Sequence, residues 1–196
     1  SQSDDGKILT LNKNLSLSKA HHIVMGYDVN INSFSHIKAE IYYQHLFSLP
    51  ISKDTSSTYS IVNSTDGYTT AELVNNGLGK NYGLELTYER FLYKNLYYLL
   101  SASLYDSKYK AADGDWYNTR FNTNYTFSFT GGKEWTLSEK RKSRVIGFNI
   151  KALYVGGFRY TPIDLNASIN KGETVVDDNK TFQEKTNLHA PICRAL

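Results

Sequence analysis

Six long segments of the chain alternate apolar and polar side chains with a period of two residues. In one of them, Leu84 and Leu86 alternate with Glu85 and Thr87. Because successive side chains of a β-strand point to opposite faces, this period predicts extended chain with one apolar and one polar face. We predict strands near 20–33, 36–48, 82–92, 96–109, 119–134 and 144–156, and no segment shows a helical period. The segments are about twice as long as the ~5–6 residues of a globular strand, and ~9–11 residues suffice to cross a bilayer.

Alternation alone does not decide which face is inside. A soluble sandwich hides the apolar face in its core, whereas a membrane barrel turns that face to lipid and keeps a polar interior. No central position of any apolar face carries a charge, as expected where a charge at the bilayer midplane costs ~2–4 kcal/mol. The barrel hypothesis places Glu85 and Asn124 inside. It places four apolar side chains outside: Leu84, Leu100, Phe127 and Ile150.

The connections between the predicted strands alternate between short and long. Tight turns near 33–35 and 93–95 and a turn near 136–143 alternate with a long loop at 49–81, a medium loop at 110–118 and a long stretch from 157 onward. Outer-membrane barrels show this asymmetry, with short periplasmic turns and longer external loops. Aromatic residues near strand ends are candidates for an interfacial girdle: Tyr42, Tyr43, Tyr97, Tyr98, Trp135 and Tyr154. The predicted fold class is all-β, an antiparallel meander of long strands that forms part of a transmembrane β-barrel.

Six strands are too few for a closed barrel of this kind, which needs ~8. An open sheet in lipid would leave backbone N–H and C=O groups unpaired at its edges. We therefore interpret residues 1–196 as a partial barrel domain that belongs to a longer chain.

Composition agrees with extended structure and excludes several classes of function. The chain has 16 Tyr, 9 Phe and only 3 Pro, which suits pleated surfaces and an unbroken hydrogen-bond ladder. The net charge of +3 is modest and forms no stripe, so we expect no nucleic-acid partner. The single Cys193 has no partner for an internal disulfide. Residues 1–6 lack the features of a secretion signal, and no apolar run approaches the ~18 residues of a membrane helix.

Several stretches resemble one known family. They are 71–91 (AELVNNGLGKNYGLELTYERF), 97–110 (YYLLSASLYDSKYK), 113–122 (DGDWYNTRFN), 18–22 with 26–28, 42–47, 131–135 and 156–165 (GGFRYTPIDL). In their order and spacing, these stretches resemble the C-terminal half of the barrel in TonB-dependent outer-membrane receptors of the Bacteroidetes type. The resemblance covers about 7–187, and residues 189–196 depart from it.

The resemblance implies a barrel of ~22 strands with an N-terminal plug domain. It implies a location in the cell outer membrane, contact with outer-membrane lipid, and uptake of a small nutrient such as a siderophore, cobalamin, glycan or peptide. It further implies energy coupling to TonB through the plug. We expect this sequence to hold neither the plug domain nor the strands that close the barrel.

Polar and aromatic residues of the external loops are the best candidates for contact with a ligand, because loops on a rigid scaffold carry binding. One loop offers Asp113, Asp115, Trp116 and Tyr117, with Arg120 just after it. A second offers Arg159, Tyr160 and Asp164. Arg120 or Arg159 could grip a carboxylate or a phosphate group. The alternative is that these side chains lock the loops to one another.

Metal and catalytic sites are not indicated. His21 and His22 point to opposite faces of a predicted strand, and the Asp-Gly turns at 4–6 and 113–115 lack the spacing of a calcium loop. Ser101 and Ser103 face the polar side without an acidic partner at a persuasive spacing. We expect no enzyme activity and no cofactor. The competing hypotheses are a soluble secreted β-sandwich for binding or adhesion, and a passive porin-like barrel.

Overall fold

The computed structural model describes residues 11–64, 69–138, 144–176, 183–186 and 192–195, the last four and 185–186 as backbone only. Two short strands, β8 (Arg159–Tyr160) and β9 (Lys185–Thr186), pair with each other. All other strands share one antiparallel sheet: β1 (Lys19–Asn32), β2 (Ser35–Ser52), β3 (Leu73–Tyr93), β4 (Leu96–Lys110), β5 (Trp116–Asn118), β6 (Tyr125–Ser138), β7 (Arg144–Val155) and β10 (Ile192–Ala195). A 3-10 helix (Ile61–Asn63) and the helix α1 (Leu165–Lys171) are the other elements among the described residues. The sheet order is β1-β2-β3-β4-β6-β7-β10, and β5 lies beside the end of β4.

The predicted all-β meander of long strands is confirmed, but several strand ends differ. β2 runs on to Ser52, and β3 begins at Leu73 where the prediction had 82. Two glycines allow this extension, because β3 runs very close to β2 there. A Cβ at Gly77 would lie within 3.0 Å of atoms of Leu49 and Ile51, and a Cβ at Gly79 within 3.0 Å of atoms of Leu46 and Leu49. β6 begins at Tyr125 where the prediction had 119. Residues 119–124 instead fold back against β4. Ile192–Ala195 lie in the segment that departs from the family resemblance, and their backbone pairs with β7.

The two described turns at one end of the sheet are tight and the loops at the other end are long, as predicted. Lys94 and Asn95 both have left-handed φ angles of 50° and 60°, the geometry of a two-residue type I′ hairpin turn. At the first turn, the Phe34 N–H donates to Asn32 Oδ1 at 2.9 Å. The predicted turn at 136–143 falls mostly on 139–143, outside the described residues.

Strand pairing aligns the apolar side chains in rows across the sheet. One row is Met25, Ile41, Leu84, Leu104 and Tyr125, and the next is Tyr27, Ala39, Leu86, Ala102, Phe127 and Tyr154. The predicted outward residues Leu84, Leu100 and Phe127 are 41–44% exposed, and Ile150 is half-buried. Among the described residues, no helix or second sheet packs over this apolar face.

The aromatic residues at the strand ends divide between the two faces. The register puts Tyr43, Tyr98, Trp135 and Tyr154 on the apolar face. The girdle prediction was wrong for Tyr42 and Tyr97, which lie on the polar face. There the Tyr97 hydroxyl donates to Asn149 Oδ1 at 2.8 Å.

A small apolar cluster closes the loop end of the sheet. Its buried residues are Leu49, Ile51, Leu73, Tyr109 and Ala111. The buried Tyr109 hydroxyl donates to the Thr58 carbonyl at 2.8 Å, and Ser60 Oγ donates to the Pro50 carbonyl at 3.2 Å. These bonds hold the 53–72 loop against the strands, so the loop end is the better packed end of the sheet.

The helix α1 was not predicted, because its seven residues are too few to display a helical period. Local capping defines it instead. Asp164 Oδ1 accepts from the Ala167 N–H at 2.9 Å, and Gly172 ends the helix with a left-handed φ of 71°. Within the described parts of the chain, no helix combines the length and the apolar character needed to cross a membrane.

We predict that Gly156→Ala destabilises the fold. A Cβ at this buried glycine would lie 1.6 Å from the Thr123 carbonyl oxygen, so the 119–124 segment would have to move. Overpacking of this kind costs ~1–3 kcal/mol in the free energy of unfolding, measurable by urea titration. The matched control is Gly147→Ala in β7, where the nearest atom is Glu134 Cγ at 3.8 Å. An equal loss of stability in both variants would contradict the close approach.

Candidate functional site

A cavity of about 500 Å³ opens on the polar face of the sheet near the loop end. Two rows of paired residues form its floor. One row supplies Glu40 and Glu85, and the next supplies Val24, Tyr42 and Tyr105. Gly83 lets the Tyr42 hydroxyl lie over the backbone, since a Cβ there would be 2.8 Å from that oxygen. Glycine at position 83 therefore accommodates the close approach of Tyr42 and Tyr105, two of the residues that line the cavity.

A continuous chain of side-chain hydrogen bonds stiffens the loop-side wall of this cavity. Asn81 Nδ2 donates to Gln44 Oε1 at 2.7 Å, and Ser107 Oγ donates to Asn81 Oδ1 at 2.7 Å. Thr119 Oγ1 then donates to Ser107 Oγ at 2.9 Å. The chain joins β2, β3, β4 and the segment after β5, so the wall is held by groups that bond to one another.

The cavity floor carries more acidic than basic groups. Glu40 pairs with Lys38 at 2.7 Å. Glu85, directly opposite Glu40 in the register, makes no hydrogen bond or ion pair with any described residue. His22 meets Tyr42 edge-on, with ring centroids 6.1 Å apart. This arrangement presents a carboxylate, an imidazole and phenol groups to the same space, which suits polar contacts with a solute.

The first predicted loop is a short hairpin between β4 and β5. Asp113 shapes it: Oδ1 accepts from the Asp115 N–H at 3.0 Å, and Oδ2 accepts from the Tyr117 hydroxyl at 2.5 Å. Burial, together with this bond and the Asp113 charge, raises the pKa of Tyr117 to about 12. Trp116 is 39% exposed, and the Lys80 ammonium lies 4.4 Å from its ring centroid. Asp113 and Tyr117 thus stabilise the hairpin, while Asp115 and Trp116 remain exposed.

The two predicted arginines differ in what they contact. The Arg159 guanidinium donates to the Asn122 carbonyl at 3.1 Å, to the Glu184 carbonyl at 2.8 Å, and to Asn124 Oδ1. Its backbone N–H donates to the Arg120 carbonyl at 2.9 Å, which joins the two predicted loops. Arg120 has an exposed side chain, and its N–H donates to Asn63 Oδ1 at 2.9 Å. Arg159 therefore locks loops together, as the alternative interpretation held, and the Arg120 side chain stays exposed.

The remaining two predicted residues, Tyr160 and Asp164, also differ in what their side chains contact. Tyr160 is 40% exposed, and its backbone pairs with β9. The Asp164 carboxylate caps α1 and so has a structural contact of its own. Of the eight predicted ligand contacts, those with exposed side chains are Asp113, Asp115, Trp116, Arg120 and Tyr160.

Sequence reasoning missed the cavity and the residue that anchors the loops above it. Asn122 is fully buried, and its Nδ2 donates to Asp106 Oδ1 at 2.6 Å and to Asn118 Oδ1 at 2.9 Å. It was predicted to lie inside a strand, where alternation gives no sign of such a role. Most of the cavity residues follow the polar alternation, whereas Phe121 and Asp106 do not, and which residues meet depends on the pairing register.

The histidine pattern behaves as predicted. His21 stacks on Phe47 on the apolar face, with centroids 5.0 Å apart, whereas His22 contacts Tyr42 on the polar face. Within the described ranges, no three His, Cys, Asp or Glu side chains are grouped closely enough to hold a metal ion. Comparison with protein-family models, curated proteins and solved structures gave no match.

We predict that Tyr117 titrates near pH 12 in the folded chain. Because its folded pKa lies above the ordinary value of 10, the stability it contributes is complete below pH 10 and is lost as the pH rises toward 12. The difference in phenolate absorbance between the native chain and Tyr117→Phe isolates this titration. Asp113→Asn should lower the midpoint only part of the way to 10, because burial is the larger cause. A native midpoint at 10 would contradict the partly buried, hydrogen-bonded state of this hydroxyl.

Proposed function

We propose that this chain forms part of the wall and external vestibule of an outer-membrane, TonB-dependent nutrient receptor. In this role the apolar face contacts lipid, the polar face lines the interior, and the long loops face outward. The chain carries out no covalent chemistry. A small nutrient passes along the polar face, and TonB acts through a plug domain.

The uncovered apolar band and the positions of its charges carry this proposal. On the apolar face of β3, the only charged residues are Lys80 and Arg90, and Tyr82, Leu84, Leu86 and Tyr88 lie between them. At ~3.3 Å per residue, these two positions are about 33 Å apart along the strand, and a tilt of ~45° reduces this to about 23 Å. The apolar band of outer-membrane barrels is ~25 Å tall. The spacing of the charges thus suits the thickness of a bilayer.

The unequal ends of the sheet give further support. The two described turns between long strands have two residues each, at 33–34 and 94–95. The opposite end carries the 53–72 loop, the β5 hairpin and α1. The cavity on the polar face lies near these loops, so a solute that they capture would meet Tyr42, Glu85 and Tyr105 next. This order of contacts suits uptake from outside.

A soluble sandwich would require a second layer over the apolar face. Met25 and Ile23 are both 70% exposed, and the described residues supply no such layer. In lipid, the outer edge of β1 needs a pairing partner, because unpaired backbone groups cost several kcal/mol each there. The proposal therefore requires further strands beside β1.

We predict opposite environments for two neighbouring side chains of β3. In a Cys193→Ser background, Leu86→Cys lies in mid-band on the apolar face, and Thr87→Cys is its matched control on the polar face. A fluorophore at position 86, in the chain reconstituted into vesicles, should be quenched by brominated lipid. A fluorophore at position 87 should be quenched instead by a water-soluble ion. Equal access of the ion to both positions would overturn the wall assignment.

A receptor and a passive pore share this wall and differ in the plug. The receptor proposal predicts that the encoding gene also specifies a plug domain with a TonB-contacting segment. It further predicts that nutrient-dependent growth of the source cells requires TonB. Growth that depends on this gene but not on TonB would favour the passive pore.

A further inference from the structure

A row of basic residues crosses four strands on the apolar face, at its loop-end margin. The register places His21 opposite His45, His45 opposite Lys80, and Lys80 opposite Lys108. All four lie on the same face as the tyrosines Tyr43 and Tyr82, one row closer to the loops. Contacts with Phe47 and Trp116 on that face agree with this orientation.

The two lysines of this row stand directly opposite each other. Like charges at paired positions of an antiparallel sheet destabilise it unless a counter-charge is present. Lys108 has such a partner in Asp106, at 3.1 Å. Lys80 has no carboxylate within ion-pair distance among the described residues, and its ammonium lies over the Trp116 ring. The row therefore keeps an unneutralised positive charge next to an exposed aromatic side chain.

The position of the row identifies the kind of anion that would fit it. It begins one row beyond Tyr82, which is about 7 Å along the strand at ~3.3 Å per residue. If the apolar band contacts hydrocarbon, this distance puts the lysines at the depth of lipid headgroups. Lysine and tryptophan are the side chains that favour this depth, since both combine an apolar body with a polar end.

We propose that Lys80 and Lys108, flanked by His21, His45 and Trp116, bind the phosphate of anionic membrane lipids at the outer margin of the wall. This inference rests on the proposed function, because only a lipid-facing sheet brings headgroups to this row. The lysines donate to the phosphate oxygens, and the acyl chains of the same lipid cover the row of Leu84 and Leu104, two rows below. One lipid molecule would thus neutralise the positive charge of the row and cover the apolar surface beside it.

The two tryptophans allow a direct test. Trp135→Phe, together with Phe in place of any tryptophan outside residues 1–196, leaves Trp116 as the only tryptophan, and Trp116 then reports on the basic row. The full chain is reconstituted into phosphatidylcholine vesicles that contain either brominated phosphatidylglycerol or brominated phosphatidylcholine at equal mole fraction. We expect stronger quenching by the anionic lipid. Lys80→Gln and Lys108→Gln should each reduce the relative affinity for that lipid about fivefold. The matched control Lys151→Gln, on the polar face, should leave it unchanged.

The outcomes separate this inference from the proposed function. Equal quenching by both lipids, unchanged in the lysine variants, would overturn the headgroup site and leave the wall proposal intact. No quenching by either lipid would overturn both. Inorganic phosphate at matched ionic strength should not displace the anionic lipid. If it does, the row binds a free anion and the lipid assignment is wrong.

Discussion

The antiparallel hydrogen-bond ladder is the constraint on which the rest of this structure depends. From β1 to β4 the register is continuous over the central rows, so Met25, Ile41, Leu84 and Leu104 come to one face. A slip of one residue in any strand would send all of its apolar side chains to the other face. The apolar band, the polar cavity and the basic row are therefore three results of one set of strand pairings. In lipid the same ladder would also be the only source of partners for the backbone groups.

The sequence predicted the strands and their faces, because a period of two is a local signal that each strand carries by itself. It did not predict where strands end when the cause lies elsewhere in the chain. β3 begins at Leu73 because Gly77 and Gly79 accept the side chains of β2 at close range. β6 begins late because the buried Asn122 ties the preceding segment to Asp106 and Asn118. Such contacts between distant residues do not appear as a periodic pattern in the sequence.

The candidate site was predictable only in part, for the same reason. The loop residues Asp115, Trp116 and Arg120 are exposed, as expected. Arg159 instead holds the loops together, and Asp164 caps α1. Alternation does assign Tyr42, Glu85 and Tyr105 to polar faces. That they surround one cavity follows from the pairings of three strands. The opposition of Lys80 and Lys108 likewise exists only in the assembled sheet.

The two-residue turn at Lys94 and Asn95 bears on the order in which the chain assembles. It joins β3 to β4 directly, while β2 reaches β3 only across the 53–72 loop, ten times as long. By the logarithmic dependence of chain-closure entropy on length, the longer connection costs roughly 2 kcal/mol more to close. Chain entropy thus favours β1 with β2, and β3 with β4, as separate hairpins before the two unite. The sheet would then assemble from hairpins. The two strands of each hairpin would already be hydrogen-bonded to each other when the hairpin joins the sheet.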